Sequence, residues 1–321
     1  NTLPNHIQKE YWTNLNVGII YEENAGFIVK KMIEHKRFDR ALDIIYHSSH
    51  KNVQFDTTII EETIIGIIKA SDSNLFSRMQ YELAKVVYLL DKREDANLQT
   101  LYSIEVLLYR LLEHHGNIND TKFIKEIMSN PESLMEIIDK TYLSSDENER
   151  AVEIEQVKND NSYALLGWHI FYTLRQTPFV DSNNTIDEVA LNNYIDQLQT
   201  LGNAKHKIKG VNTVIGELLG NYPETEDYPS IPICDIIERL NNKEVNNGFR
   251  TRLYNKRGVT VRPAYEGGTL EKNEADKYKK YADKIRYTHP IACSIFDDLS
   301  RDYYQIAKNE DIRVKIEKME F

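Results

Sequence analysis

Helical spacing of apolar residues recurs along almost the whole chain and constrains the fold more than any other feature. One early stretch puts four apolar side chains on a single helix face with lysines opposite: Phe27, Ile28, Met32 and Ile33. Similar stretches follow one another between short polar links. With 13 glycines and 8 prolines in 321 residues, turns are few, which favours long helices over many short strands.

The pattern predicts an all-α protein. It contains too many helical stretches for a four-helix bundle, so we expect an α-solenoid or an irregular array of antiparallel helical hairpins. Only residues 258–264 alternate in a strand-like way, enough for one small β-hairpin at most. The most polar stretch, residues 144–160, predicts a boundary near residue 150 between two helical arrays, residues 1–150 and 151–321.

Composition and charge limit where the protein works. The chain is 41% hydrophobic, enough for a core, and its net charge of −10 argues against a protein that coats nucleic acid over its whole surface. No apolar run approaches the ~20 residues of a membrane span. Two cysteines without a CxxC partner, Cys234 and Cys293, indicate reduced thiols, so we expect a cytoplasmic protein with no membrane contact. The missing initiator methionine predicts either a piece of a longer chain or a trimmed disordered end.

No motif for catalysis is present. The chain lacks a GxSxG elbow, a P-loop and a GxGxxG turn. His47 and His50 lie three residues apart, but no further ligands at metal-site spacing accompany them. An acidic group is interpreted as a solvated helix face: Asp297, Asp298 and Asp302. We therefore predict no enzyme activity for this region by itself, no catalytic residues, no metal site and no cofactor.

One segment differs from ordinary helix surface. Residues 250–286, called the basic segment below, carry 11 Lys and Arg against five Asp and Glu, with tyrosines interleaved. Within it, Gly267 and Gly268 precede a helix start of the kind that attracts anions. Thr269 as N-cap and Glu271 in the first turn explain the same residues structurally, so turn chemistry is the favoured interpretation.

The basic segment is also the predicted partner-binding surface. Cations among aromatic rings can follow a phosphate backbone and stack bases, and they can equally contact an acidic protein surface. We expect a protein partner, with nucleic acid as the alternative. Seven residues are the candidate contacts: Arg250, Arg252, Arg257, Arg262, Tyr265, Lys279 and Lys280. Among them, Arg257, Arg262, Lys279 and Lys280 are the predicted ion-pairing groups, and Tyr265 is the predicted aromatic anchor.

Three stretches carry a resemblance to a known group of proteins. They are "EYW…KRFDRALDII" (10–45), "YSIEVLLYRLLEHHG…FIKEIMSNPESLMEIIDKTY" (102–142) and "DYPSIPICDIIERL…GFRTRLYNKRGVTVRPAYEGGTLEKNEADKY" (227–278). These stretches resemble the C-terminal helical region of large, poorly characterised bacterial multidomain proteins, some of them encoded among phage-defence genes. The shared motifs are packing and turn signals, and no functional residue carries over with them.

The resemblance implies a module that follows an N-terminal part with nucleotide-binding or effector chemistry. Together with the residue patterns, it predicts a non-catalytic recognition or scaffold module of a larger cytosolic bacterial protein, as the sensor or partner-binding part of an anti-phage defence system. The expected partner is another protein or the missing N-terminal part of the same chain. The alternative function is nucleic-acid binding through the basic segment.

Overall fold

The chain is described by a computed structural model that covers residues 4–15, 22–51, 53–70, 73–258, 263 and 266–317. Across these residues it forms 18 α-helices and one 3₁₀ helix, and the only β pairing is an isolated bridge between Val180 and Ile186. The all-α prediction is therefore confirmed.

The 3₁₀ helix spans Ile118–Asp120, and the α-helices follow in chain order. They are α1 (Asn5–Asn14), α2 (Glu22–Glu34), α3 (Phe38–Ser49), α4 (Thr57–Lys69), α5 (Ser73–Arg78), α6 (Gln80–Asp91), α7 (Leu98–Leu107), α8 (Tyr109–His115), α9 (Lys122–Ser129), α10 (Pro131–Thr141), α11 (Glu147–Asn159), α12 (Ser162–Thr173), α13 (Glu188–Ala204), α14 (Ile208–Gly220), α15 (Ile231–Leu240), α16 (Lys243–Lys256), α17 (Thr269–Ile285) and α18 (Pro290–Glu317).

Two further sequence predictions concern a small β-hairpin and the absence of a membrane-spanning segment. The β-hairpin predicted near residues 258–264 lies largely outside the described residues, and Gly258 and Pro263, which are described, are not in a strand. Among the described helices, none is both long enough and apolar enough to cross a bilayer.

Contacts divide the chain into two compact units, unit 1 (Asn1–Glu126) and unit 2 (Ile127–Phe321). This division lies earlier in the chain than the boundary predicted near residue 150, which lies within α11. The polar stretch around α11 is tied into unit 2 by the buried Lys207, whose Nζ lies 2.6 Å from Glu153 Oε1 and donates to the carbonyl of Tyr142 at 2.5 Å. A polar stretch can thus be an anchored helix as well as a linker.

In unit 1, α3 packs against α2, α4 and α6, and the apolar stripes of these helices form the core. Its largest fully buried side chains are Met32, Leu42, Ile45, Ile64, Leu83, Leu90, Leu101 and Tyr109. Glu105 is fully buried in this core and accepts a hydrogen bond from the Phe123 backbone N–H at 2.8 Å. The neighbouring Asp91 accepts from the Lys122 N–H at 2.7 Å, so both carboxyl groups cap the start of α9.

Burial, reinforced by a hydrogen bond to Asp91, raises the pKa of Glu105 to about 8 from its usual 4.5. The folded chain therefore holds a proton that the unfolded chain releases, and stability falls as pH rises from about 4.5 to about 8, by at most ~1.4 kcal/mol per pH unit. We expect Glu105→Gln, which mimics the protonated acid, to flatten this slope. Urea unfolding at pH values across the window checks it, with the exposed Glu94→Gln as a control that keeps the slope. An unchanged slope in Glu105→Gln contradicts the assignment.

In unit 2, α14 and α16 approach each other backbone to backbone because glycines face each other. A Cβ atom at Gly216 would lie 2.1 Å from the Val245 carbonyl oxygen, and one at Gly248 would lie 2.2 Å from the Thr213 carbonyl oxygen. Real Cβ atoms do not come this close, so this helix pair requires hydrogen at both positions.

The second tight pair of unit 2 is α17 with α18, which share an aromatic core. The rings of Tyr278 and Tyr303 stack with centroids 5.7 Å apart, and Tyr278 also stacks on Phe296 at 6.3 Å. All three side chains are buried, and the Tyr278 hydroxyl donates to the Leu253 carbonyl at 3.1 Å. Tyr278, one of the tyrosines of the basic segment, therefore belongs to the core.

Candidate functional site

Arg252, one of the seven predicted contacts, is a buried structural residue. Its guanidinium donates to the side chain of Asn221 and, from Nη1, to the Tyr172 carbonyl at 2.9 Å. Burial lowers the pKa of Arg252 to about 10. The side chain connects α16 to α12 and to the end of α14 and is not displayed at the surface.

Two other predicted contacts, Arg250 and Lys279, are partly exposed but already paired with carboxylates. Arg250 contacts Asp302, and Lys279 Nζ lies 3.0 Å from Asp297 Oδ1 and 3.3 Å from Asp283 Oδ1. Hydrogen bonds to Asp297 and Asp283 raise the pKa of Lys279. Both cations are thus neutralised within the protein.

The acidic residues interpreted as a solvated face of α18 include the counterions of the basic segment. Asp297 lies 3.0 Å from both Lys279 and Arg286, and Arg286 holds the pKa of this carboxyl below its usual value. Asp298 differs, since it pairs with Arg301 on its own helix. Three cations of the segment, Lys272, Lys279 and Arg286, thus form ion pairs that join α17 to α18.

Arg257 forms the most buried ion pair of the basic segment. Its Nη2 lies 2.6 Å from Oε1 of Glu271, whose side chain is 1% exposed, and its guanidinium carbon lies 5.5 Å from the ring centroid of Tyr303. This pair fixes the end of α16 to the first turn of α17, so Arg257 has an internal role.

The remaining predicted contacts are Arg262 and Tyr265, which lie outside the described residues, and Lys280. Lys280 is exposed and has no ion-pair partner in the part of the chain that the structure describes. Nearby, Tyr287 is 96% exposed. Of the predicted contacts that are described, Lys280 is the one that keeps an unpaired charge at the surface.

The double glycine is a turn with a close backbone approach. Gly267 has a φ of +66°, in the left-handed region that favours glycine, and a Cβ at Gly268 would lie 2.2 Å from the Ala307 carbonyl oxygen. The start of α17 is occupied by a carboxylate of the chain itself, because Gly268 N–H donates to Asp311 Oδ1 at 2.9 Å and Lys272 lies 2.7 Å from Oδ2. An anion-binding position exists here, and Asp311 fills it.

The described residues offer no obvious catalytic constellation. Among them, no group of three or more His, Cys, Asp or Glu side chains is placed to hold a metal ion. Burial raises the pKa of the Cys234 thiol to about 12 and also raises that of Cys293, the opposite of what a nucleophilic thiolate needs. His47 and His50 both pack their rings against Tyr46.

An exposed apolar surface lies instead on α12. Leu165, Trp168 and Tyr172 recur at i, i+3 and i+7, so they share one face of the helix, and they are 51%, 49% and 61% exposed. These three residues are called the α12 face below. Aromatic side chains displayed in this way are typical of protein-binding hot spots.

The opposite side of α12 is packed firmly into unit 2. Gly167 lies so close to α10 that a Cβ there would be 1.8 Å from Thr141 Oγ1. Ile170 and Phe171 are buried, and the rings of Tyr142 and Trp168 are 5.2 Å apart. The α12 face is therefore presented on a supported helix, which lowers the entropic cost of binding.

A charge lies beyond each end of α12. Asp160, just before the helix, is exposed and accepts from the Ser162 N–H at 2.9 Å. Hydrogen bonds from the Ser162 side chain and from this N–H lower the pKa of Asp160. Arg175, just after the helix, is exposed, and its guanidinium lies 5.8 Å from the Tyr172 ring centroid. Neither forms an ion pair with another described residue, which contrasts with the basic segment.

Sequence reasoning missed the α12 face because "SYALLGWHIFYT" is apolar on nearly all sides, and such helices are usually buried. The available signal was the spacing of Leu165, Trp168 and Tyr172 opposite the glycine at position 167, since glycine marks the side of closest packing.

Comparison of the chain with protein-family models, curated proteins and solved structures finds no significant match.

Proposed function

We propose that this chain is a non-catalytic recognition and scaffold module of a larger cytosolic bacterial protein, and that it binds a protein partner through the α12 face. The observation that carries the proposal is the exposure of Leu165, Trp168 and Tyr172 on a helix whose other side is packed. The resemblance to phage-defence proteins adds the proposal that the module is the sensor or partner-binding part of such a system.

The pairing of charges favours the α12 face over the basic segment as the docking surface. A cation already bound to a carboxylate must break that bond before it can bind a phosphate or an acidic partner, so it contributes little binding energy. Arg250, Arg257 and Lys279 are in this position, which counts against nucleic-acid binding through the basic segment. Aromatic residues on the α12 face have no such competitor.

The proposal is tested by purifying the tagged protein from its native host, with and without nuclease, and identifying what is retained. We expect a protein partner that survives nuclease and is lost, with at least tenfold lower recovery, in Trp168→Ala and Tyr172→Ser. Tyr287→Ala, which removes a more exposed ring near the basic segment, is the matched control and should retain the partner.

Two results would contradict the proposal. One is a partner retained by Trp168→Ala and Tyr172→Ser but lost from Tyr287→Ala, which would move the docking surface to the basic segment. The other is recovery of nucleic acid with a salt-dependent affinity that disappears when Arg262 and Lys280 are replaced by alanine, which would establish the alternative function.

A further inference from the structure

We propose that the occupant of the α12 face is the α12 face of a second copy of this chain, packed antiparallel across a two-fold axis. The proposal rests on the docking role proposed above for this face and names its partner. It follows from the order of charges and apolar groups along α12.

The surface along α12 is self-complementary when a second copy is turned end for end. Along the chain, Asp160 precedes α12, Leu165, Trp168 and Tyr172 form its exposed face, and Arg175 follows it, where Nη1 donates to the Tyr172 carbonyl at 3.1 Å. In an antiparallel pair centred near Trp168, Leu165 of each copy lies opposite Tyr172 of the other. The same register brings Arg175 of each copy to the helix start of the other, next to Asp160.

Both charges are available for such a pair. Asp160 and Arg175 are exposed, and neither forms an ion pair with another residue of the described chain. A parallel arrangement would place Asp160 against Asp160 and Arg175 against Arg175, and like charges placed together disfavour it. The antiparallel arrangement forms two equivalent ion pairs, as an isologous interface requires.

The apolar residues in the middle of the face are suited to the centre of a small interface. Trp and Tyr dominate binding energy when they lie in a desolvated centre surrounded by polar groups. Here Trp168 is central, and the charged positions lie just beyond the two ends of α12, 15 residues or about four turns apart along the chain. Packing Trp168 against Tyr142 keeps its ring oriented before association.

The test is the molar mass of the purified chain in solution, measured by sedimentation velocity from low concentration to about 100 µM. We expect a reversible dimer with twice the 37.5 kDa mass of the chain. Trp168→Ala and Tyr172→Ser should each raise the dimer dissociation constant at least tenfold. Tyr287→Ala should leave it unchanged.

Charge reversal supplies a test that a general loss of packing cannot imitate. Asp160→Arg alone and Arg175→Asp alone should each weaken the dimer by about tenfold, because each places like charges together twice. The double variant carrying both changes restores opposite charges across the two-fold axis and should recover most of the affinity. Circular dichroism establishes that each variant is folded.

Three outcomes would overturn the proposal: a wild-type chain that stays monomeric at about 100 µM, a dimer that persists in Trp168→Ala and Tyr172→Ser, or a charge-reversed double variant no better than the single ones. A monomer that still captures a host protein through Trp168 rejects the second copy while leaving the docking role of the α12 face in place. A monomer with no Trp168-dependent partner rejects both.

Discussion

Replacing Gly248 with alanine is expected to lower the free energy of unfolding by about 3 kcal/mol. In an ordinary helix the same change stabilises, by about 1 kcal/mol, because alanine is the better helix former. Here the added methyl group would lie 2.2 Å from the Thr213 carbonyl oxygen, so α14 and α16 must separate. The atom in the way belongs to the backbone and cannot rotate aside, which is why the sign reverses.

Urea unfolding followed by circular dichroism measures this effect, and Gly26→Ala is the control. Gly26 lies within α2 with no atom near the position of its Cβ, so its replacement should raise stability by up to about 1 kcal/mol. Equal behaviour of the two alanine variants would show that α14 and α16 are not in backbone contact.

Glu271→Ala is expected to cost about 3–5 kcal/mol, because it removes the buried carboxylate partner of the Arg257 guanidinium. Glu271 Oε1 lies 2.6 Å from Arg257 Nη2, and the Arg257 side chain is largely shielded from water. The loss should appear as a lower urea midpoint for unit 2. This is the largest effect we expect from a single charged residue.

A partly exposed pair provides the comparison: Lys272 in the first turn of α17 lies 2.7 Å from Asp311 of α18. Lys272→Ala should cost less than about 1 kcal/mol because water competes for both groups. If Lys272→Ala and Glu271→Ala destabilise the protein equally, the distinction between a structural and a surface ion pair in the basic segment is wrong.

Much of the fold can be predicted from the sequence because helical periodicity and scarce turn residues are local signals. The all-α class follows from them directly. The burial of individual residues is harder to predict. Helical spacing places Phe27 and Met32 on one helix face, but only Met32 is buried. Phe27 is exposed, and its ring centroid lies 6.1 Å from that of Trp12. Periodicity identifies a face but not how far the neighbouring helix covers it.

The candidate site could be predicted only in part, because charge pairing depends on contacts distant in sequence. A count of cations in residues 250–286 cannot reveal that Asp297 and Asp302 lie against them. The turn at Gly267 and Gly268 could be predicted because glycine is favoured where the backbone has a positive φ. The structure agrees, since Gly267 has a φ of +66°. The family resemblance and the partner remain predictions.

The measurement that tests the central claim most directly is site-specific photo-crosslinking in the native host, with the reactive group at position 172 in one variant and at position 280 in another. Both positions are exposed, so both variants should fold and differ only in the surface they report. If the partner binds at the α12 face, we expect a protein adduct from position 172 and none from position 280. An adduct from position 280 without one from position 172, or an adduct removed by nuclease, would contradict it.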